Sequence, residues 1–151
     1  MSDLFQFLHQ ENIQPELLDA VREYRAMHAV QEALLPRIPV PRFPYYGKSI
    51  WEQAIAAVLC GENLLLAGGK ATGKNVLAEN LAALFGRPEW DISFHVNMDA
   101  ASLIGTDTFV NGAVQFRPGP VYSCAQHGGF GILDEINMAK NEALAVLHAV
   151  L

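Results

Sequence analysis

Residues 63–75 read NLLLAGGKATGKN, and this stretch decides how the rest of the chain is to be understood. Asn63 to Ala67 is a short apolar run followed by glycines, the pattern of a strand buried on both faces. Gly68-Gly69-Lys70-Ala71-Thr72-Gly73-Lys74-Asn75 fits G-x-x-x-x-G-K, the phosphate-binding loop, in all but its last place. Glycines let the backbone curl so that successive N–H groups converge on phosphate oxygens. The helix expected from Lys74 offers its positive end to an anion. Lys74 itself reaches the β- and γ-phosphates as a point charge. The candidate nucleotide-binding residues are therefore Gly68, Gly69, Lys70, Ala71, Thr72, Gly73, Lys74, Asn75 and Val76. By composition alone such a motif arises in about a few per cent of chains this long. The competing reading is a glycine-rich turn that merely caps a strand. The strand–loop–helix placement favours the phosphate loop.

A second stretch supports it. Phe130-Gly131-Ile132-Leu133-Asp134-Glu135 reads as an apolar strand ending in two carboxylates, at the strand edge where α/β sheets bind ligands. In that reading Asp134 holds Mg²⁺ through water, and Glu135 orients and polarises the attacking water. A strand that simply ends in two solvated acids is the alternative.

Working outward, the spacing predicts a helix from Lys74 to Leu84, stopped by Gly86 with Pro88 beyond. Asp91 to Asn97 alternates Ile92, Phe94 and Val96 as a strand does. Thr106 to Phe116 holds two β-prone runs around Asn111-Gly112, the strongest short hairpin signal. Val121 to His127 reads as a helix, Phe130 to Leu133 as a buried strand, and Ile136 or Ala139 to Leu151 as a last helix. The alternation of strand and helix is that of an α/β fold. Ahead of the loop, Ser49 is expected to cap a helix over Ile50 to Leu59, with Gly61 as its stop. Prolines 36, 39, 41 and 44 mark an extended linker. Residues 3 to 35 are expected to be helical, with Leu4, Phe5 and Leu8 on one face. A second helix opens at Pro15 and runs to about Leu34, its apolar side formed by Leu17, Leu18, Val21, Tyr24, Met27, His28 and Leu35. The organisation is thus an N-terminal helical segment and linker over residues 1–40 and a second part over residues 41–151.

Composition narrows the function. The chain has 151 residues, 51% of them hydrophobic, with eight Phe, four Tyr and two Trp. It is too apolar to be disordered, and it carries no charged block. Ten Lys and Arg against sixteen Asp and Glu leave a net charge of −6, which argues against a nucleic-acid partner. No apolar run reaches the length of a membrane span, and the N-terminus lacks a signal-peptide pattern. Cys60 and Cys124 fit neither a metal site nor a disulfide framework, so a reducing cytoplasm is the expected setting. The five histidines, His9, His28, His95, His127 and His148, share no metal-ligand spacing. Cys124 beside His127 lacks an oxyanion site and is rejected as a nucleophile–base pair.

The motifs together carry a resemblance. GGKATGKN followed by GILDEINMAKNEALAVLHAVL resembles the Walker A and Walker B regions of AAA+ ATPases. Asp134 to Ala139 (DEINMA) is most similar to the MoxR-type group, which includes NorQ- and CbbQ-like proteins. Residues 103–122, LIGTDTFVNGAVQFRPGPVY, match that group's hairpin insert and the stretch leading to its next strand. The resemblance covers about residues 45 to 151. It implies a P-loop NTPase of AAA+ type: a three-layer α/β core with a β-hairpin insert, incomplete at the C-terminus and preceded by N-terminal helices. It further implies ATP or ADP with Mg²⁺ as ligands, and Lys74 and Glu135 as catalytic residues. The parent protein is expected to form a homo-oligomeric ring, a hexamer, each site completed by a neighbour's arginine, that hydrolyses ATP to remodel or activate a client. A von Willebrand factor A-domain protein is the implied partner.

Several positions keep two readings. Asn97 corresponds to the family's polar residue that hydrogen-bonds the Walker B glutamate, or is an Asn that ends a strand because it tolerates turns. Phe109 at the hairpin tip faces the pore of a ring, or packs on its own domain. Tyr45, Tyr46 and Ile50 line the adenine pocket, or belong to the core. Residues 1–35 dock a partner, or cap the core.

Two departures matter. Asn75 stands where the motif has Ser or Thr; with Asp134 it is a candidate metal ligand, and an Asn oxygen is a legitimate hard donor of different reach. The resemblance also implies, after Walker B, a strand with a nucleotide-sensing polar residue, an arginine finger, a fifth strand and a helical lid, and none of these is present up to Leu151. The slot between the first and third strands is then expected to be empty, so the chain is expected to be part of a longer protein, with little turnover on its own. A nucleotide-gated binding module without turnover is the main alternative. A small-molecule P-loop kinase is a weaker one, since the hairpin has no place in it.

Overall fold

The computed structural model describes residues 4–148. The chain divides into two compact units, one running to Pro88 and the other beginning at Glu89.

The first unit is helical. Helices α1 (Leu4–Gln10), α2 (Pro15–Met27), α3 (Lys48–Leu59) and α4 (Lys74–Phe85) are joined by a 3-10 turn at Glu32–Arg37 and by irregular segments. Pro15 opens α2, where its missing N–H costs nothing. The Gln14 N–H just before it donates to Glu52 Oε1 of α3 at 3.1 Å. Helix α2 packs on both α3 and α4, so the N-terminal helices cap the segment that carries the Gly68–Asn75 loop. Leu8, Ile13, Leu18 and Val21 bury there with Trp51, Ile55, Leu81, Leu84 and Phe85. Each such side chain contributes about 1.5–3 kcal/mol on burial.

Three expectations are corrected here. Helix α2 ends at Met27, not near Leu34. His28 closes it, its N–H donating to Tyr24 O at 3.0 Å and its Nδ1 lying 2.8 Å from the same oxygen. The apolar side past that point finds no cover: Met27 and Leu35 are exposed. Ser49 does not cap α3; Gly47 precedes the helix instead, at φ 137°. Most important, residues 63–67 form no strand, and Leu65 is 86% exposed. A strand needs a neighbouring backbone for its N–H and C=O groups. Among the described residues no strand pairs with this run.

The second unit is mixed. Strand β1 (Glu89–Ser93) pairs in parallel with β4 (Phe130–Asp134), Glu89 opposite Phe130 and Ser93 opposite Asp134. Between them lie helix α5 (Ala100–Ile104), the hairpin β2 (Gly105–Val110) and β3 (Ala113–Pro118), and helix α6 (Pro120–His127). A 3-10 turn at Ile136–Met138 leads to α7 (Asn141–Leu147). The expected single helix from Ile136 or Ala139 is thus broken into a turn and a helix starting at Asn141, and its last residues, 149–151, lie outside the described residues. Strand β1 also stops short of Asn97. Phe94 N still donates to Asp134 O at 2.9 Å, but β4 then turns away at Glu135, φ 54°. Ile92, Phe94, Leu103, Val121, Ala143 and Leu147 make this unit's core.

The hairpin turns at Asn111 (φ 52°) and Gly112 (φ 81°), the two positive φ values that a type I′ turn demands. Helix α5 escaped the sequence reading because it is one turn long. Asp99 caps it, accepting from Ser102 N–H at 2.8 Å and Ser102 Oγ at 2.6 Å. The Ser102 hydroxyl and then its N–H hold the Asp99 carboxyl below the usual carboxylate range. An acid three residues before a serine was the available signal.

Gly119 joins the hairpin to α6 and lies hard against the end of α5. Its N–H donates to Ile104 O at 2.8 Å, and a Cβ there would fall 2.3 Å from Leu103 O. Backbone cannot yield as a side-chain tip does. Gly119→Ala is expected to lower stability by about 1–3 kcal/mol, measured as a shifted urea midpoint of the second unit. A midpoint equal to that of the parent would show that this approach is not close.

Candidate functional site

The loop 68–75 follows the run 63–67, which is not a strand, and enters α4. Gly73 precedes the helix in the left-handed region at φ 83°, and Ala71 adopts φ 59°, where glycine would be the usual choice. Thr72 Oγ1 donates to Gly69 O at 3.0 Å. Lys74 Nζ folds back over the loop, donating to Gly68 O at 3.0 Å and Gly69 O at 2.7 Å. The lysine therefore stands at the centre of the curl, on two neutral acceptors. Lys70 and Asn75 are exposed, and Val76, inside α4, accepts from Asn80 Nδ2 at 2.8 Å.

A cleft of about 670 Å³ opens beside this loop. Gly68, Thr72 and Lys74 form one wall, Leu64 to Ala67 another, and Tyr45 with Ile50, Gln53, Ala54 and Ala57 a third. The volume suits a ligand of nucleotide size, and an apolar wall facing a few polar groups is the usual character of such a site. Tyr45 also lies across the loop itself, since a Cβ on Gly73 would be 3.4 Å from its ring. Of the three aromatic and aliphatic candidates, Tyr45 and Ile50 reach the cleft. Tyr46 is turned away and meets Phe7 edge-on, ring centroids 5.2 Å apart.

The acidic pair belongs to the second unit. Asp134 ends β4, half-buried, and its Oδ1 accepts from the Glu135 N–H at 2.9 Å. Glu135 is exposed and holds φ 54°, a left-handed conformation uncommon for a residue with a side chain. Backbone strain of this kind gathers at functional positions. Parallel pairing brings the ends of β1 and β4 to one edge, because Ser93 lies opposite Asp134. Asn97 follows that edge in an exposed turn, its N–H donating to His95 Nδ1 at 3.3 Å.

Among the described residues no cluster of three His, Cys, Asp or Glu could hold a metal ion. Mg²⁺ does not need one, since it is usually held by one or two protein oxygens together with phosphates and water. Asp134 and Asn75 are hard oxygen donors of the right class. Burial pushes the Cys124 thiol up, which makes it a poor nucleophile, in keeping with its rejection above. Both cysteines are free.

Sequence reasoning missed Asn80, and it read Trp51 only as an apolar helix position. Asn80 is fully buried in α4, and Trp51 is fully buried in α3. The available signal was a polar residue interrupting the apolar face of Leu77, Leu81 and Leu84.

Curated relatives include the uncharacterized protein YojN of Bacillus subtilis (strain 168), 39% identical over 108 residues. Those residues are 69% of this chain and 36% of YojN. The uncharacterized proteins SSP1341 of Staphylococcus saprophyticus and SH1500 of Staphylococcus haemolyticus are 37% and 36% identical over 109 residues, 69% of this chain and 41% of each relative. The chain thus spans roughly two-fifths of the length of these curated relatives. The sequence profile described as the AAA domain (dynein-related subfamily) matches residues 63–151, from the run before the loop through the acidic pair and α7. The chain belongs to the AAA domain family, in its dynein-related subfamily.

Proposed function

We propose that this chain is the nucleotide-binding part of a MoxR-like AAA+ ATPase, with the Walker A loop at Gly68–Asn75 and Walker B at Phe130–Glu135. One observation carries the reading: Lys74 Nζ sits inside the glycine curl at the start of α4, beside a cleft walled by Tyr45 and Ile50. Gly68, Gly69, Lys70, Ala71, Thr72, Gly73 and Val76 shape the curl and the helix entry. On binding, Lys74 exchanges two neutral carbonyls for phosphate oxygens, and charge-assisted hydrogen bonds are roughly twice as strong as neutral ones. The first turn of α4 then faces the anion with its positive end. Tyr45 and Ile50 accept the adenine.

Mg²⁺, when bound, neutralises the phosphate oxygens and templates the displacement. Asp134 and Asn75 are the residues that would hold it, Asp134 through water. Glu135 orients and polarises the attacking water, and Asn97 sets the posture of Glu135. In the longer parent, ATP hydrolysis in a hexameric ring drives remodelling or activation of a client protein, with a von Willebrand factor A-domain protein as partner. Ten Lys and Arg against sixteen Asp and Glu argue against a nucleic-acid partner, and no helix among the described residues is long and apolar enough to cross a membrane. A reducing, cytoplasmic setting suits its two free thiols.

Asn75 favours a second reading, a nucleotide-gated module that holds ATP or ADP without turnover, because the hydroxyl ligand of Walker A is replaced by a longer amide.

Calorimetric titration with ATP and ADP, with Mg²⁺ and with EDTA, tests the binding site. Lys74→Ala is expected to weaken nucleotide affinity roughly 10- to 100-fold; unchanged affinity would remove Lys74 from the site. In the same titration Asn75→Thr is expected to increase the Mg²⁺ dependence of binding, and an unaltered Mg²⁺ response would show that position 75 does not touch the metal. In the full-length parent, Glu135→Gln should abolish turnover while nucleotide still binds. A parent with no turnover to lose would establish the gated module instead.

A further inference from the structure

Two buried side chains, Asn80 and Trp51, hold the same short segment. Asn80 of α4 is fully buried, and its Nδ2 donates to Phe43 O at 2.9 Å and to Val76 O at 2.8 Å. Trp51 of α3 is also fully buried, and its Nε1 donates to Tyr45 O at 2.8 Å. The two carbonyls flank Pro44, which has no N–H with which to anchor itself. Residues 43–45 are therefore held by side chains from two helices, not by secondary structure of their own.

The amide of Asn80 has one workable orientation. Both hydrogen bonds end on carbonyl oxygens, so only its NH₂ group can serve them. The bond to Val76 O is a local contact within α4. The bond to Phe43 O ties the helix that begins at the loop to the segment that ends in Tyr45. The Tyr45 ring lies across Gly73 and lines the cleft. Displacing residues 43–45 thus moves the ring that packs on Gly73, while the bonds of Lys74 to Gly68 O and Gly69 O do not pass through that segment.

We propose that Asn80 is a positioning residue that sets Tyr45 as the platform for the base of a bound nucleotide, and so governs the base-dependent part of binding but not the phosphate-dependent part. This inference rests on the nucleotide reading given above. It adds a division of labour: Lys74 and the curl hold phosphate, whereas Asn80 acts on the base through Phe43 and Tyr45.

Comparing ADP with inorganic tripolyphosphate, which has no base, separates the two parts. Calorimetry on the chain and its Asn80→Ala, Tyr45→Ala and double variants supplies the readout. Asn80→Ala is expected to weaken ADP binding roughly three- to tenfold and to leave tripolyphosphate affinity unchanged. Tyr45→Ala should do the same, and the double variant should lose little more than either single one, as residues acting through one contact do. Asn80→Ser serves if the alanine variant does not fold, because a serine hydroxyl can return to Val76 O within the helix but is too short for Phe43 O. Equal weakening of both ligands would mean that Asn80 only stabilises α4, and additive losses would mean that it does not act through Tyr45; either result overturns the proposal. An unsubstituted chain that binds neither ligand would overturn the nucleotide reading itself, whereas tight binding with no effect at position 80 would remove this inference alone.

Discussion

Every N–H and C=O of a backbone that leaves water needs a partner, and this requirement shapes both units of the protein. Helices meet it internally, and the described residues of the first unit form helices α1 to α4 and no strand. Strands meet it only through a neighbour. Phe130–Asp134 finds one in Glu89–Ser93, and the hairpin strands find one another. The apolar run at 63–67 has the composition of a buried strand and no paired strand among the described residues, and Leu64 and Leu65 stand exposed.

Where neither helix nor strand meets the requirement, side chains do. Residues 43–45 are held through carbonyls by Asn80 and Trp51, and the 68–69 carbonyls by Lys74. The second case is exchangeable. An ammonium group on two neutral carbonyls is poised for a stronger acceptor, and an anion at the start of α4 is such an acceptor. The first case is not, because both donors are fully buried and an unmade bond there would leave a buried polar group unsatisfied. One set of contacts makes a receptive loop, and the other a fixed wall beside it.

At the acidic edge the geometry is set by register. Parallel pairing of β1 with β4 fixes Ser93 against Asp134, which brings the Asn97 turn and the Asp134–Glu135 pair to the same end of the sheet. Glu135 leaves the strand in a left-handed conformation, so its carboxylate departs from the alternation that a sixth strand residue would follow. This backbone reversal also limits β1, since past Phe94 there is no strand left to pair with.

Local chemistry in the sequence determined much of this. The glycine spacing of 68–73 specified a curl before a helix, Gly86 its end, Asn111-Gly112 the hairpin turn, and the run before Asp134 a strand, because each depends on neighbours within a few residues. Tertiary structure alone decided the remainder. Whether 63–67 pairs, where α2 stops, that Tyr45 and not Tyr46 meets the cleft, and that Asn80 reaches Phe43 across 37 positions all depend on partners distant in the chain. Periodicity and composition report the tendency of a segment. They do not report whether the backbone or side chain that would satisfy it is within reach.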